Sequence, residues 1–341
     1  MRSNGCSTIP IWRGVTAMQC ATARWRCSTP RQPIVTRPHF TISCWGASHW
    51  AAGSDSVRTA AIIGITNRDD GTTMDKQRQH IDSNIAVHDR IAEQYDARHG
   101  EIFNPIEQAR LAAALGEAKG LMTSSATRPT ALDFGCGSGN LTRHLLALGF
   151  AVTAADVSPK FLELVQKRFS SSQLSVLQLN GEDLAELDDG SVDFIATYSV
   201  LHHVPDYLGA IAEFGRVVAP GGVVYLDHEQ HERYWQGDPV LDEFYARAKP
   251  YDWKKWFVPS NYVHKIWRLF DPRHANEGDI HVWPDDHIEW DKIAAILAKA
   301  GLEPVMTHDY LLFRGGYDEQ AYAAYRTRTS DMRCMAFRKQ G

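Results

Sequence analysis

Long apolar runs are missing from this sequence. No stretch approaches the ~20 residues that a membrane-spanning helix needs, so no bilayer span is expected. Excess positive charge is missing too. The 36 Lys+Arg against 41 Asp+Glu give a net charge of −5 over 341 residues, which argues against a nucleic-acid partner. Cysteine is scarce beyond the N-terminus: four of the six (Cys6, Cys20, Cys27, Cys44) fall in the first 44 residues, at spacings that match no close ligand pair. The histidines lack tight ligand spacing as well, and His281–His287 has no clear third partner, so no metal site is expected. Lysine is absent from residues 1–73 and tryptophan from 51–234.

What is present is ordinary for a globular protein. With 44% hydrophobic and 23% charged residues, the chain is long enough for one large or two medium domains. The charge is uneven. Residues 1–73 hold eight Arg and three acids (Asp55, Asp69, Asp70), a net +5, which leaves −10 for the remainder. Pro10, Pro30, Pro33 and Pro38 interrupt any period there. The segment is expected to be disordered and without function, with Met74-Asp75-Lys76-Gln77 as the native start and the preceding stretch as translated upstream sequence. A transit peptide is the second reading, because the segment is Arg-, Ser- and Thr-containing and acid-poor.

From Met74 a helical arm is expected over 74–127. Ile81, Ile85, Val87, His88, Ile91, Ala92 and Tyr95 recur at helical spacing within 80–98. A second helix should run from the cap Asn104, with Pro105 at its first position, to about Lys119. Then comes the stretch around which the chain is organised, Leu132-Asp133-Phe134-Gly135-Cys136-Gly137-Ser138-Gly139-Asn140. An apolar strand, Thr130–Phe134, ends in three glycines at alternate positions, and Asn140 opens a helical pattern carrying Leu141, Leu145, Leu146 and Leu148. Glycines allow positive φ and close approach of a ligand, and a helix N-terminus offers free N–H groups.

Strand and helix then alternate. Strands are expected at 151–155, 174–179, 192–199 and 222–226, a helix from Ser158-Pro159 to Arg168, and another through 211–218. Further on lie a crossover helix over about 287–300 and final strands at 305–313 and 332–337. Such alternation specifies a parallel sheet covered by helices on both faces. Ligands bind such sheets at the carboxyl ends of the strands. Asp156 stands there after strand two, 17 positions beyond Gly139, where an acid can accept both ribose hydroxyl hydrogens. Asn180, Gly181, Glu182 and Asp183 follow strand three, where an adenine edge would lie. Ser199-Val200-Leu201-His202-His203 follow strand four, facing the reactive end of a ligand. The glycine pattern is G-x-G-x-G rather than the dinucleotide G-x-G-x-x-G. Asp133 in front of it is a poor neighbour for a pyrophosphate and a good one for a cation, such as the amine or sulfonium of S-adenosylmethionine.

Residues 130–228 resemble the class I S-adenosylmethionine-dependent methyltransferases, of the group similar to the quinone-biosynthesis C-methyltransferases. The carrying stretches are Leu132–Asn140, Ala154-Ala155-Asp156-Val157-Ser158, Asp189-Gly190-Ser191-Val192-Asp193, Ser199–Val204, and Ala219-Pro220-Gly221-Gly222 before Leu226. The resemblance implies a Rossmann-like α/β fold: a seven-stranded, mostly parallel sheet with an antiparallel last strand. It implies S-adenosyl-L-methionine as cofactor. The methionine part would lie on Asp133, Gly135, Cys136 and Gly137, the ribose on Asp156 beside Val157, the adenine on Asn180, Gly181 or Glu182, and Ser199 would line the reactive end. In the family the adenine position is commonly Asp; here it is Asn180. Ile91-Ala92-Glu93-Gln94-Tyr95-Asp96 resembles the family's N-terminal helix, whose Tyr lies near the cofactor, so Tyr95 joins the set.

The expected organisation is therefore a core at 128–228, an aromatic-rich helical cap at 229–290 and the remainder of the core at 291–341. Six Trp fall within that insertion (Trp235, Trp253, Trp256, Trp267, Trp283, Trp290). Aromatic rings suit an aromatic or lipophilic acceptor; a helical subdomain core or a homodimer interface would explain them equally. The function read here is methyl transfer to a small-molecule acceptor in the cytoplasm, with organellar targeting by the N-terminal segment as the alternative. O-, C- and N-methylation stay open. If the acceptor needs a base, His202, His203, His228 and Glu229 are the candidates. A non-catalytic S-adenosylmethionine-binding regulatory or assembly subunit is the second reading, and an NAD-type oxidoreductase the third.

Overall fold

The computed structural model describes residues 99–124, 126–248 and 288–341, together with Arg78, Gln79, Ile81, Asp82, Ile85, Ala86 and Asp89. The N-terminal segment 1–73, Tyr95 and residues 249–287 of the expected cap lie outside them. The seven described residues between Arg78 and Asp89 other than the gaps are helical, as their spacing predicts.

Helix α1 (Pro105–Gly120) starts where Asn104 Oδ1 accepts the Glu107 N–H at 2.9 Å, with Pro105 in the first turn. Strand β1 (Thr130–Phe134) leads through the glycine turn into α2 (Asn140–Ala147). Next come β2 (Ala151–Asp156), α3 (Pro159–Arg168), capped by the Ser158 hydroxyl, and β3 (Leu174–Gln178). Strand β4 (Val192–Tyr198) precedes a short turn of 3₁₀-helix, Leu201–His203, and α4 (Tyr207–Val217), which passes directly into β5 (Val218–Gln230). Helices α5 (Glu232–Gln236) and α6 (Pro239–Ala248) open the insertion. After it come α7 (Trp290–Lys299), β6 (Leu302–Tyr310), α8 (Glu319–Tyr325) and β7 (Met332–Lys339).

The seven strands form one sheet in the order β3-β2-β1-β4-β5-β7-β6. Strands β1 to β5 pair in parallel, and β7 runs antiparallel to both β5 and β6. The chain reverses direction across the sheet between β3 and β4, so the ends of β1 and β4 flank the crevice where ligands bind such sheets.

Side-chain alternation builds the two core layers. Leu132, Ile195, Val224 and Leu226 face one side and pack under α4 and α7, with Phe214 and Leu297 fully buried there. Ala131, Phe194, Val223 and Tyr225 face the other side beneath α1 and α2, with Leu111, Leu115 and Leu145. The α4–α7 crossing is tight enough that a Cβ on Gly215 would lie 2.7 Å from the Ala300 Cβ.

Three expectations are corrected. Strand β6 is Leu302–Tyr310 rather than 305–313: it starts at the Gly301 turn, and Leu311 and Phe313 leave the sheet to pack with Leu241, Phe244, Tyr317 and Tyr325. Helix α8 was not anticipated; its cap is Asp318, which accepts the Ala321 N–H at 2.7 Å. Strand β5 runs far past Leu226, with a register shift against β7 between Leu226 and Glu229. The described part of the insertion thus has no core of its own. Helix α6 shares one with the segment after β6.

Phe194 is fully buried, its ring 5.1 Å from Phe150 and 6.3 Å from Tyr225. Phe194→Ala is expected to cost about 3–5 kcal/mol, read as a lower urea midpoint at unchanged slope. A loss below about 1 kcal/mol would show that this layer does not carry the core.

Candidate functional site

The glycine turn is fastened before any ligand arrives. The Gly135 and Cys136 N–H groups both donate to the Ala155 carbonyl, at 2.8 and 2.9 Å, which ties the turn to the end of β2. Asp156 adds two bonds: its Oδ2 accepts the Gly137 N–H and its Oδ1 the Ser158 N–H, each at 2.9 Å. A Cβ on Gly135 would lie 2.7 Å from the Val200 methyls, so only glycine lets the β1 and β4 loops close together. At Gly137 (φ +49°) a Cβ would meet no atom within 4 Å. That residue borders open cavity.

The cavity has a volume of about 360 Å³, within the range of small-molecule sites. Asp133, Gly135, Cys136 and Gly137 form one wall, with Asp156 and Val157 beside them. Leu179, Gly181, Glu182 and Asp183 line the β3 end, and Tyr198, Ser199, Val200 and His203 the β4 end. The arm contributes Arg78 and Ile81, and the approach to α1 contributes Ile102 and Phe103. Ile81 is buried against Gly181, and Asp89 accepts the Ser158 hydroxyl at 2.6 Å, so the arm covers the β2–β3 side.

Asp133 decides what charge this cavity wants. It is 1% exposed; the Thr142 hydroxyl donates to its Oδ2 at 2.6 Å, and its Oδ1 has no hydrogen-bond partner. Burial raises its carboxyl pKa, against the Thr142 hydrogen bond and with help from the Asp156 charge, to about 7. A buried acceptor left unsatisfied is costly, and a cation donating to Oδ1 would remove that cost. Asp156 keeps acceptor capacity beyond its two backbone bonds, since an ionised carboxylate offers about four lone-pair sites. A ligand with an ammonium near Asp133 and hydroxyls near Asp156 therefore fits. S-adenosylmethionine has both groups. Helix α2 also begins at Gly139 with no side-chain cap, and a helix N-terminus favours a carboxylate.

The predicted residues distribute unevenly. Asp133, Gly135, Cys136, Gly137, Asp156, Val157, Gly181, Glu182 and Ser199 line the cavity. Asn180 does not. Its Oδ1 accepts the Glu182 and Asp183 N–H groups at 2.7 and 3.0 Å, and its amide donates to Asp183, so it shapes the turn that presents Gly181. Tyr95 lies outside the described residues. Of the four candidate bases only His203 lines the cavity. His202 and Glu229 hold each other at 2.7 Å, and Glu229 Oε1 also accepts the Val200 and Leu201 N–H groups at 3.1 and 2.8 Å. That pair is a clasp between the β4 loop and β5. His228 sits behind Tyr198, their ring centroids 4.6 Å apart. Ile102, Phe103 and Leu179 were missed as wall residues: they are apolar, carry no motif, and meet the cavity only through tertiary packing.

Among the described residues no group of three or more His, Cys, Asp or Glu is placed to hold a metal ion, and no helix is long and apolar enough to cross a membrane.

Comparison with known proteins agrees with this geometry. Residues 132–226 match the family model described as a methyltransferase domain. Over 97 residues the chain is 36% identical to the ubiquinone biosynthesis O-methyltransferase of Xanthomonas campestris pv. campestris, covering 28% of this chain and 41% of that protein. It is 26% identical over 202 residues to the protein of the same name from Alkalilimnicola ehrlichii, covering 56% and 78%. The chain thus spans about 41% of the length of the first of these relatives. An S-adenosylmethionine-dependent methyltransferase structure from Mesorhizobium loti superposes with a TM-score of 0.43 at 16% identity, over 67% of this chain and 98% of that one.

Asp133 gives a pH signature. Its folded pKa, about 7, lies above the ordinary carboxylate value of 3.8, so its contribution to stability is full below pH 3.8 and is lost as pH rises through 7. Asp133→Asn is expected to raise the thermal midpoint of the ligand-free protein at pH 8. It should also abolish a loss of S-adenosylmethionine affinity, approaching tenfold per pH unit, that the wild type shows below pH 7. Calorimetry across pH 5.5–8.5 reads both. Equal pH slopes in the two proteins would refute the role of Asp133. Residues 132–226 of this chain therefore carry a methyltransferase domain, on a sheet order and a glycine turn that fit S-adenosylmethionine.

Proposed function

We propose that this chain transfers a methyl group from S-adenosylmethionine to a hydroxyl of a small aromatic or lipophilic acceptor. The observation that carries the reading is the orphaned carboxylate oxygen of Asp133, buried on the same cavity wall as the glycine turn and Asp156. A pyrophosphate would be repelled there, and an α-amino cation would be held. The hydroxyl is favoured because the relatives in sequence are named as O-methyltransferases.

S-adenosylmethionine, when bound, supplies an electrophilic methyl on a positively charged sulfur. The chain's own contribution is positioning and exclusion of water. Asp133 and Gly137 fix one end of the ligand, Asp156 its sugar, and Gly181 with Leu179 its base. Ile102, Phe103 and Val200 keep the opposite wall dry. The aromatic insertion at 229–290 selects the acceptor, with α5 and α6 as its described part.

Asp156→Ala removes charge-assisted bonds worth about 1.5–3 kcal/mol in all, so S-adenosylmethionine binding should weaken about 10- to 100-fold in calorimetry while the fold persists by circular dichroism. Cell extract supplied with methyl-labelled cofactor and the wild-type chain should yield a labelled small molecule. Tight NAD binding without S-adenosylmethionine binding would sink the reading. Tight cofactor binding with no labelled product would point to the non-catalytic subunit.

A further inference from the structure

Three buried side-chain atoms of the glycine turn have no hydrogen-bond partner: Asp133 Oδ1, Ser138 Oγ and Asn140 Nδ2. All three residues line the cavity, and Ser138 is only 2% exposed. Buried polar atoms are normally satisfied, so three unspent ones in one turn mark a place where a ligand supplies the partners. Their chemistry differs. An ionised Asp133 can only accept, Asn140 Nδ2 can only donate, and the Ser138 hydroxyl can do either. One atom of the turn thus wants a cation and another an anion. What the wall lacks is a cation of its own. Among the described residues that line the cavity the single Arg or Lys is Arg78, and it pairs with Glu182 at 3.6 Å on the β3 side.

The orientation of the Asn140 amide follows from groups whose roles are fixed. The Arg143 guanidinium can only donate, and it bonds Gln108 Oε1, beside which the His144 ring nitrogen lies at 2.8 Å. The Ile102 carbonyl can only accept, and Gln108 Nε2 donates to it at 3.0 Å. Gln108 is therefore held at both ends. Its second Nε2 hydrogen goes to Asn140 Oδ1, also at 3.0 Å, which leaves Nδ2 as the end of Asn140 that α1 does not use. The bonds run from a guanidinium through two amides. Each polarises the next, so the unspent Asn140 N–H is a stronger donor than that of an isolated amide.

We propose that Asn140 Nδ2 holds the carboxylate of the cofactor's amino-acid end, with Gln108 as the positioning residue that fixes its amide and Arg143 as the charge behind both. This rests on the methyl-transfer reading above. With Asp133 and Asp156 on the turn, a ligand carrying an ammonium alone would suit the charge of the wall as well as a zwitterion does, or better. Asn140 supplies the donor that makes the carboxylate an advantage. It is thus the specificity determinant between S-adenosylmethionine and its decarboxylated form, which keeps the amine and the sulfonium and lacks only the carboxylate.

Calorimetry with these two ligands tests the assignment without turnover. The wild-type chain should bind S-adenosylmethionine about 10- to 100-fold more tightly than the decarboxylated form, the worth of one hydrogen bond to a charged group. Asn140→Asp keeps an oxygen for Gln108 and removes the donor. It should weaken S-adenosylmethionine by about that factor and leave the decarboxylated ligand no weaker. Gln108→Glu acts from α1: with two accepting oxygens it draws Asn140 Nδ2 toward itself, turns Oδ1 to the cavity and should erase the preference too. Arg143→Gln, at an exposed position, should reduce the preference by a smaller factor. Thermal midpoints of the ligand-free variants check that each is folded. Equal affinity of the wild type for the two ligands overturns the proposal. So does an Asn140→Asp variant with the wild-type preference, which would assign the carboxylate to the backbone of α2. Full preference in Gln108→Glu overturns the positioning role. A wild-type chain that binds neither ligand overturns the methyl-transfer reading instead.

Discussion

The Asp156 carboxylate is the joint on which the site depends. The chain leaves β1 in a turn of three left-handed glycines and leaves β2 at Asp156. Beyond the Gly135 and Cys136 bonds to the Ala155 carbonyl, the ladder ends at both exits, and buried N–H groups must be satisfied. Asp156 meets one from each, at Gly137 and Ser158. One side chain thereby fixes the glycine turn, caps the approach to α3 and brings a negative charge to the cavity wall. The end of β5 uses the same device. Glu229 takes two N–H groups from the β4 loop and the His202 ring. The two carboxylates hold the two loops between which the cavity opens. Val200 closing on Gly135 is the contact that joins them.

Much of this was legible in the sequence because it is local. The strand–glycine–helix stretch, the acid ending β2, the caps Asn104 and Ser158 and the alternation along β4 and β5 each need only neighbours within a few residues. The residues that were misread depend on distant partners. Glu229 and His202 look like a catalytic pair by type and position, yet they satisfy each other across 27 residues of chain. Asn180 stands at an adenine position, but a short polar side chain there competes for the backbone of its own turn, and that competition wins. The end of β6 was misplaced because Leu311 and Phe313 continue the apolar run while packing against α6 rather than the sheet. Apolar character shows that a residue is buried, and only the tertiary structure shows against what.

The buried charges divide in a way that separates support from function. Asp227 lies at zero exposure, yet it accepts from Arg110 and from the Tyr225 and Tyr310 hydroxyls. Glu107 is similarly provided for by Arg110 and Tyr198. These groups lock α1 onto the ends of β4 and β5. Arg110 lies over the Tyr310 ring at 3.8 Å, which adds a cation–π contact to the ion pairs. Removing one member would strand the others in low dielectric.

Asp133 is built the opposite way. It is as deeply buried, but one oxygen is met by Thr142 alone, through its hydroxyl and its backbone N–H, and the other has no partner; burial holds its carboxyl near neutrality at about 7. A chain selected for stability alone would place a cation or an apolar group there, as it places Arg110 beside Asp227. The deficit is confined to the cavity wall, where a ligand ammonium can complete the set. The folded state therefore gives up stability at a buried acid on the cavity wall, and under the proposed function binding would recover it. Affinity and specificity for a cationic ligand follow from that local deficit. The ion pairs and hydrogen bonds that join Arg110, Glu107, Asp227 and Tyr198 supply the rigidity that keeps the deficit from relaxing.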